Sequence, residues 1–175
     1  MARYNKYRWW WLLLVSAMLP NLSGNARELE EATAKAALAF NFARYVEWPQ
    51  VTGQLQICSL GGEELGRAFA KLQGRSIREQ NIVVHSLEIG DPAGNCDLLF
   101  IDIRERSQIA LLLDQLRESP ILTIGELPDF NDYGGIIRLF REGDKFRFSV
   151  NLGVAREAGL FISARLLQLA RQVIE

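Results

Sequence analysis

The chain is poor in the groups that most chemistry needs. It has one histidine, two cysteines and two methionines in 175 residues. A single imidazole excludes a multi-histidine zinc centre, and neither HExxH nor GxSxG spacing occurs. That imidazole, His85, falls on an expected strand with no cysteine or acidic residue at ligand spacing, so it reads as structural. The nearest thing to a phosphate loop is Leu60–Gly66, LGGEELG. It lacks GxGxxG and any Lys-Ser/Thr pair, and Glu63 and Glu64 stand at the helix start where an anion would sit. Lysine and arginine are scattered, which excludes the basic stripe that nucleic acid binding requires. No repeat, low-complexity tract or interdomain linker appears. No apolar run reaches the ~20 residues of a membrane span.

What is present begins with an expected export signal. Arg3, Lys6 and Arg8 precede the apolar stretch Trp9–Leu19, Pro20 and Gly24 break it, and Gly24-Asn25-Ala26 supplies small residues before a cleavage point. Residues 1–26 therefore read as a signal peptide, the competing reading being an uncleaved anchor. Removing them takes three of 20 basic residues and none of the 21 acidic ones, which leaves a net charge of about −4. Residues 27–175 suit one domain with a sizeable core.

The domain is organised around Gln54–Gly62. Leu55–Leu60 reads as an inner strand, closed by Gly61-Gly62. Leu65, Ala68, Phe69 and Leu72 then recur at helix spacing over Glu63–Leu72, which gives a strand–turn–helix start to a βαβ unit. Before it, Glu28–Tyr45 carries two apolar stripes, so a helix covered on more than one side is expected, ending at Trp48-Pro49. After it come strands at Asn81–Leu87 and Asp97–Asp102, a helix through Ile109 and Leu116, and a strand at Ile121–Gly125. Leu127–Tyr133 reads as a loop or single helical turn. Ile136–Phe140 and Lys145–Val150 form a β-hairpin, and Asn151–Gly159 a short helix. A last helix from Ser163 carries the stripe Leu166, Leu167, Ala170, Val173 and Ile174. The expectation is a three-layer α/β domain, its sheet mostly parallel with a C-terminal antiparallel hairpin and helices on both faces.

Right-handed crossovers put the second strand on one side of the first and the third on the other. Cys58 and Cys96 then lie on neighbouring strands. In an exported protein a Cys58–Cys96 disulfide is the expectation, stabilising by roughly 4 kcal/mol on the chain-entropy model. Two unpaired buried cysteines are the alternative.

Functional groups are few. Glu126, Asp129 and Asp132 form a carboxylate group that loop solvation explains. Phe40, Phe42, Tyr45 and Trp48 read as core, or as an apolar patch for a partner. No catalytic residue, cofactor or metal site is read from the chain. The crevice at the carboxyl ends of the strands, lined by Leu60–Glu63, Asp102–Glu105 and Glu126–Asp129, is where a small ligand would bind.

Five stretches resemble the YfiR-like family of periplasmic proteins. They are FNFARYVEWP at Phe40–Pro49, ICSLGGEELG at Ile57–Gly66, CDLLFID at Cys96–Asp102, ILTIGELPDFNDYGGIIRL at Ile121–Leu139, and FSVNLGVAREAGLFISARLLQLA at Phe148–Ala170. The resemblance implies a periplasmic repressor that binds the periplasmic sensor part of an inner-membrane diguanylate cyclase. It also implies an outer-membrane lipoprotein able to sequester the repressor, a homodimer, and a disulfide-linked redox response. Cys58 and Cys96 match one cysteine pair of the family; a second pair has no counterpart in the hairpin Ile136–Val150. The expected partner-binding residues are Phe42, Tyr45 and Trp48 at the end of the first helix and Asp129, Phe130 and Tyr133 in the loop after the Ile121–Gly125 strand. A ligand-binding module without a cyclase partner is the alternative function.

Overall fold

A computed structural model describes residues 22–49 and 53–175. Most of the expected signal peptide, residues 1–26, lies outside the described residues. Helix α1 spans Leu22–Ala43, starting and stopping earlier than its stripes suggest. Arg44 and Tyr45 turn the chain, and Val46–Glu47 becomes a two-residue strand β1. The inner strand β2, Gln54–Leu60, leads through Gly61-Gly62 into α2, Glu63–Ala70. A short β3, Ser76–Ile77, precedes β4, Gln80–Leu87. Then come β5, Leu98–Ile101, α3, Arg106–Gln115, and β6, Leu122–Gly125.

The hairpin follows as β7, Ile137–Glu142, and β8, Lys145–Asn151, both longer than their patterns suggest. Glu142 faces Lys145, which leaves Gly143-Asp144 as the turn. Gly143 has φ +61°, a conformation that favours glycine. Helix α4 is Leu152–Glu157, capped by the Asn151 side chain accepting from the Val154 N–H. Strand β9, Phe161–Ile162, pairs antiparallel with β1.

The C-terminal end departs from expectation. Helix α5 runs only Ala164–Leu169, and Gln172–Ile174 forms strand β10, parallel to β8. Ser163 does cap α5, accepting from the Arg165 N–H. Val173 and Ile174 thus belong to a sheet edge and not to a helical stripe. The spacing from Leu166 to Val173 mimics helical periodicity, yet the Arg171 N–H bonds the Phe148 carbonyl at 2.8 Å, and the free edge of β8 takes the chain.

The main sheet has the order β10-β8-β7-β6-β5-β2-β4-β3. Strands β4, β2, β5, β6 and β7 are mutually parallel; β8 and β3 run against their neighbours β7 and β4. Two cores sandwich it. Leu55, Ile57, Phe100 and Ile124 face α1 and α2, while Leu60, Leu99 and Ile101 face α3 through Ile109 and Leu113. This is the three-layer α/β arrangement with helices on both faces. Strand alternation explains the split, since neighbours along a strand point to opposite faces.

Cys58 on β2 and Cys96, just before β5, are joined by a disulfide with Cα atoms 5.9 Å apart. Both are buried in the α3-side core. The bridge spans a sequence separation of 38 that contains the whole α2–β4 excursion. Opening it with reductant, or by Cys58→Ser with Cys96→Ser, should lower unfolding free energy by roughly 3–4 kcal/mol. Denaturant melts with and without reductant check this. Equal midpoints in both would refute it.

Candidate functional site

Strand β2 passes into α2 on one face, and β5 into α3 on the other. The sheet order therefore reverses between them, and the loops after β2 and β5 diverge. Such switch points leave a crevice beyond the carboxyl ends of the strands. Here the crevice is about 790 Å³. Gly62, Asp102–Arg104 and Glu126–Pro128 line it, as the strand-end argument expects. Glu64, Leu65 and one side of α1 complete the wall.

Lys35 of α1 is the group that the sequence argument missed. Its residue exposure is 7%. Its Nζ lies 2.6 Å from Glu126 Oε2, 3.3 Å from Glu31 Oε1 and 3.4 Å from Asp102 Oδ2. One ammonium thus ties α1 to the ends of β5 and β6. A signal was available: Lys35 lies three residues after Ala32 and four before Ala39, both buried, so it falls on the covered stripe of α1. A lysine there needs partners, because burying an unpaired ammonium is very costly.

The cluster sets the local titration. Burial acts to lower the Lys35 pKa, but Glu126, Asp102 and Glu31 together outweigh it and hold it above 10.5. Glu126 is raised above the usual carboxylate value, chiefly by burial, despite Lys35 beside it. Glu31 ends up lowered: burial pushes it up, while Lys35 and Arg141 pull it further down. Arg141 reaches Glu31 at 3.2 Å and so links the hairpin to α1. Among the described residues, no set of three or more His, Cys, Asp and Glu could hold a metal ion. The converging carboxylates here already enclose a cation of the chain itself.

The six expected partner-binding residues divide. Phe42 is 3% exposed and packs against Phe148 in a tilted ring pair, with centroids 4.8 Å apart, so it is core. Tyr45 and Trp48 are half-buried against the same core. The Trp48 indole N–H donates to the Asp97 carbonyl at 2.9 Å, which fastens the end of β1 to the residue that leads into β5. The Asp97 carboxylate in turn accepts from the Gln56 N–H at 2.7 Å; burial raises its pKa. FNFARYVEWP is therefore largely a packing motif.

The loop after β6 is also built from within. Phe130 is 0% exposed, so it presents no surface to a partner. Its ring lies over Gly125 and Gly135, where a Cβ on either glycine would overlap it. Asn131 donates to the carbonyls of Gly135 and Ile136 at 2.9 and 3.2 Å and accepts from the Ser149 hydroxyl at 2.5 Å. Thr123 Oγ1 accepts from the Ile136 N–H at 3.0 Å. These bonds satisfy the irregular backbone between β6 and β7. Asp129 pairs with Arg106 at 3.2 Å, Asp132 is exposed and Tyr133 packs half-buried on the α3-side core. Glu126 and Asp129 are thus drawn to different cations.

These features define a doubly wound α/β domain with a charged crevice at its switch point. The chain belongs to the YfiR/HmsC-like family, whose model matches residues 32–171. No curated protein matches the chain. A solved structure of the ABC domain in complex with L-Trp from Streptococcus pneumonia has a similar fold, with a TM-score of 0.53 at 12% identity over 82% of this chain. The alignment spans 60% of that protein's chain. At this identity the likeness concerns the fold alone.

Lys35→Met should destabilise by roughly 2–4 kcal/mol, because it leaves carboxylates facing one another without their cation. A group whose folded pKa is raised gives its full stabilisation below its unfolded pKa and loses it as pH rises through the folded one. The difference between wild type and Lys35→Met should therefore hold steady from about pH 6 to 9 and shrink above 10.5. Glu126 acts in the same sense at lower pH: its raised pKa makes ionisation count against the folded state as pH climbs past 4.5. Thermal melts across pH check both. Separately, Gly135→Ala should cost about 1–3 kcal/mol through collision with the Phe130 ring, measured by denaturant unfolding against wild type.

Proposed function

We propose that this protein is an exported, non-enzymatic regulator that works by contact with another protein in the periplasm. Its target is the periplasmic sensor part of an inner-membrane diguanylate cyclase, which it holds inactive, restraining cyclic di-GMP synthesis and biofilm formation. The observation that carries this reading is the family match over residues 32–171, since YfiR-like proteins regulate diguanylate cyclases from the periplasm. The Cys58–Cys96 bridge fits an oxidising compartment, and the charged n-region with its apolar h-region fits export through a cleaved signal peptide at residues 1–26. An outer-membrane lipoprotein that sequesters the repressor, and a homodimer, complete the scheme.

A second reading is a periplasmic module for a small ligand. The crevice of about 790 Å³ at the switch point favours it, since open α/β sheets bind ligands there. The two readings part in a thermal-shift screen of small polar metabolites, where a specific ligand raises the melting temperature only if the second holds.

For the regulator, deletion of the gene should raise cellular cyclic di-GMP several-fold, and the mature protein should retain the cyclase sensor part in a pull-down from envelope extract. Unchanged cyclic di-GMP together with no retained sensor part would overturn it.

A further inference from the structure

The hairpin has two unlike faces. Ile137, Leu139 and Arg141 stand opposite Val150, Phe148 and Phe146. This face packs beneath α1 through the Phe42–Phe148 contact and the Arg141–Glu31 pair. The other face carries Arg138, Phe140 and Glu142 opposite Ser149, Arg147 and Lys145. Asn131 covers Ser149 at its inner end. Beyond that point α3 gives no cover: no residue of β7 or β8 joins the apolar cluster beneath it.

Two features set this open face apart. Phe140 is half-buried yet belongs to neither core cluster. Its ring is held by the Arg138 guanidinium, 4.7 Å from its centroid. Charge is the second feature. Arg147 and Arg171 share Glu142 at 3.3 and 3.4 Å. Arg138 has no ion-pair partner among the described residues, and its Nε is shielded without an acceptor. Arg138, Lys145, Arg147 and Arg171 thus stand against Glu142, with Asp144 at the turn, on a chain whose formal net charge is −1.

Clustered cations on a slightly acidic protein repel one another and add nothing to the core. Guanidinium forks beside an aromatic ring are what binds carboxylates at protein interfaces. We propose that this face of β7 and β8 is a docking surface for an extended, acidic segment of the partner protein. The inference rests on the regulator reading for the partner's identity; the surface and its carboxylate chemistry come from the hairpin itself.

The test uses the mature protein carrying Arg147→Glu and Arg171→Glu. Both side chains are well exposed, at 44% and 65%, so folding should be retained, and circular dichroism checks it. Affinity for the purified cyclase sensor part should fall at least about tenfold, and wild-type affinity should drop steeply with salt. Equal binding by wild type and variant overturns the inference and leaves the regulator reading standing. Where wild type fails to bind the sensor part, the regulator reading falls, and a second probe judges the surface. A peptide of alternating Glu and Val, titrated into ¹⁵N-labelled protein, should shift amides of Arg138–Arg147 and Arg171 while a Lys-Val peptide does not. No shift there, or equal shifts with both peptides, overturns the inference.

Discussion

One buried ammonium determines how the layers meet. Lys35 lies on the covered stripe of α1, and Glu126 and Asp102 extend from the ends of β6 and β5 to reach it. Desolvating a lysine is unfavourable, and the carboxylates offset that cost only if all converge. The contact is directional, unlike the alanine-rich packing of Ala32, Ala36 and Ala39 around it. Small side chains let α1 lie close to the sheet but do not fix where along its axis it sits. The ion cluster fixes that position and so forms one wall of the crevice.

A second constraint acts on the other side of β6. The chain must leave a parallel strand and enter a hairpin within a short irregular segment. Gly125 and Gly135 leave room for the Phe130 ring, and Asn131 donates to the carbonyls of Gly135 and Ile136, the second of which also accepts from the Asn151 N–H of β8. Aromatic filling and amide bonding together hold the first hairpin strand against β6. The hairpin can then extend past the end of its neighbour, since β7 pairs with β6 only at Ile137 and Arg138. That overhang leaves one hairpin face without a covering helix.

The crevice and the hairpin face are separate surfaces on a disulfide-braced sheet. They differ in character. The crevice is walled by carboxylates around an internal cation, whereas the hairpin face is basic and backed by one aromatic ring.

Much of this was legible in the residues. Alternation and helical spacing determined the βαβ core, the hairpin and the neighbouring placement of Cys58 and Cys96, because short-range periodicity reports which face of each element is buried. The crevice followed from strand order alone. Tertiary structure decided the rest. Gln172–Ile174 became a strand because β8 had a free edge, and Phe42 and Phe130 went inward because distant partners, Phe148 and two glycines, shaped the space for them. Lys35 looked like one of four scattered lysines until Asp102 and Glu126, distant in the chain, closed on it beside Glu31. Local pattern fixes what an element buries, but the identity of the group waiting on the other side depends on contacts far apart in the chain.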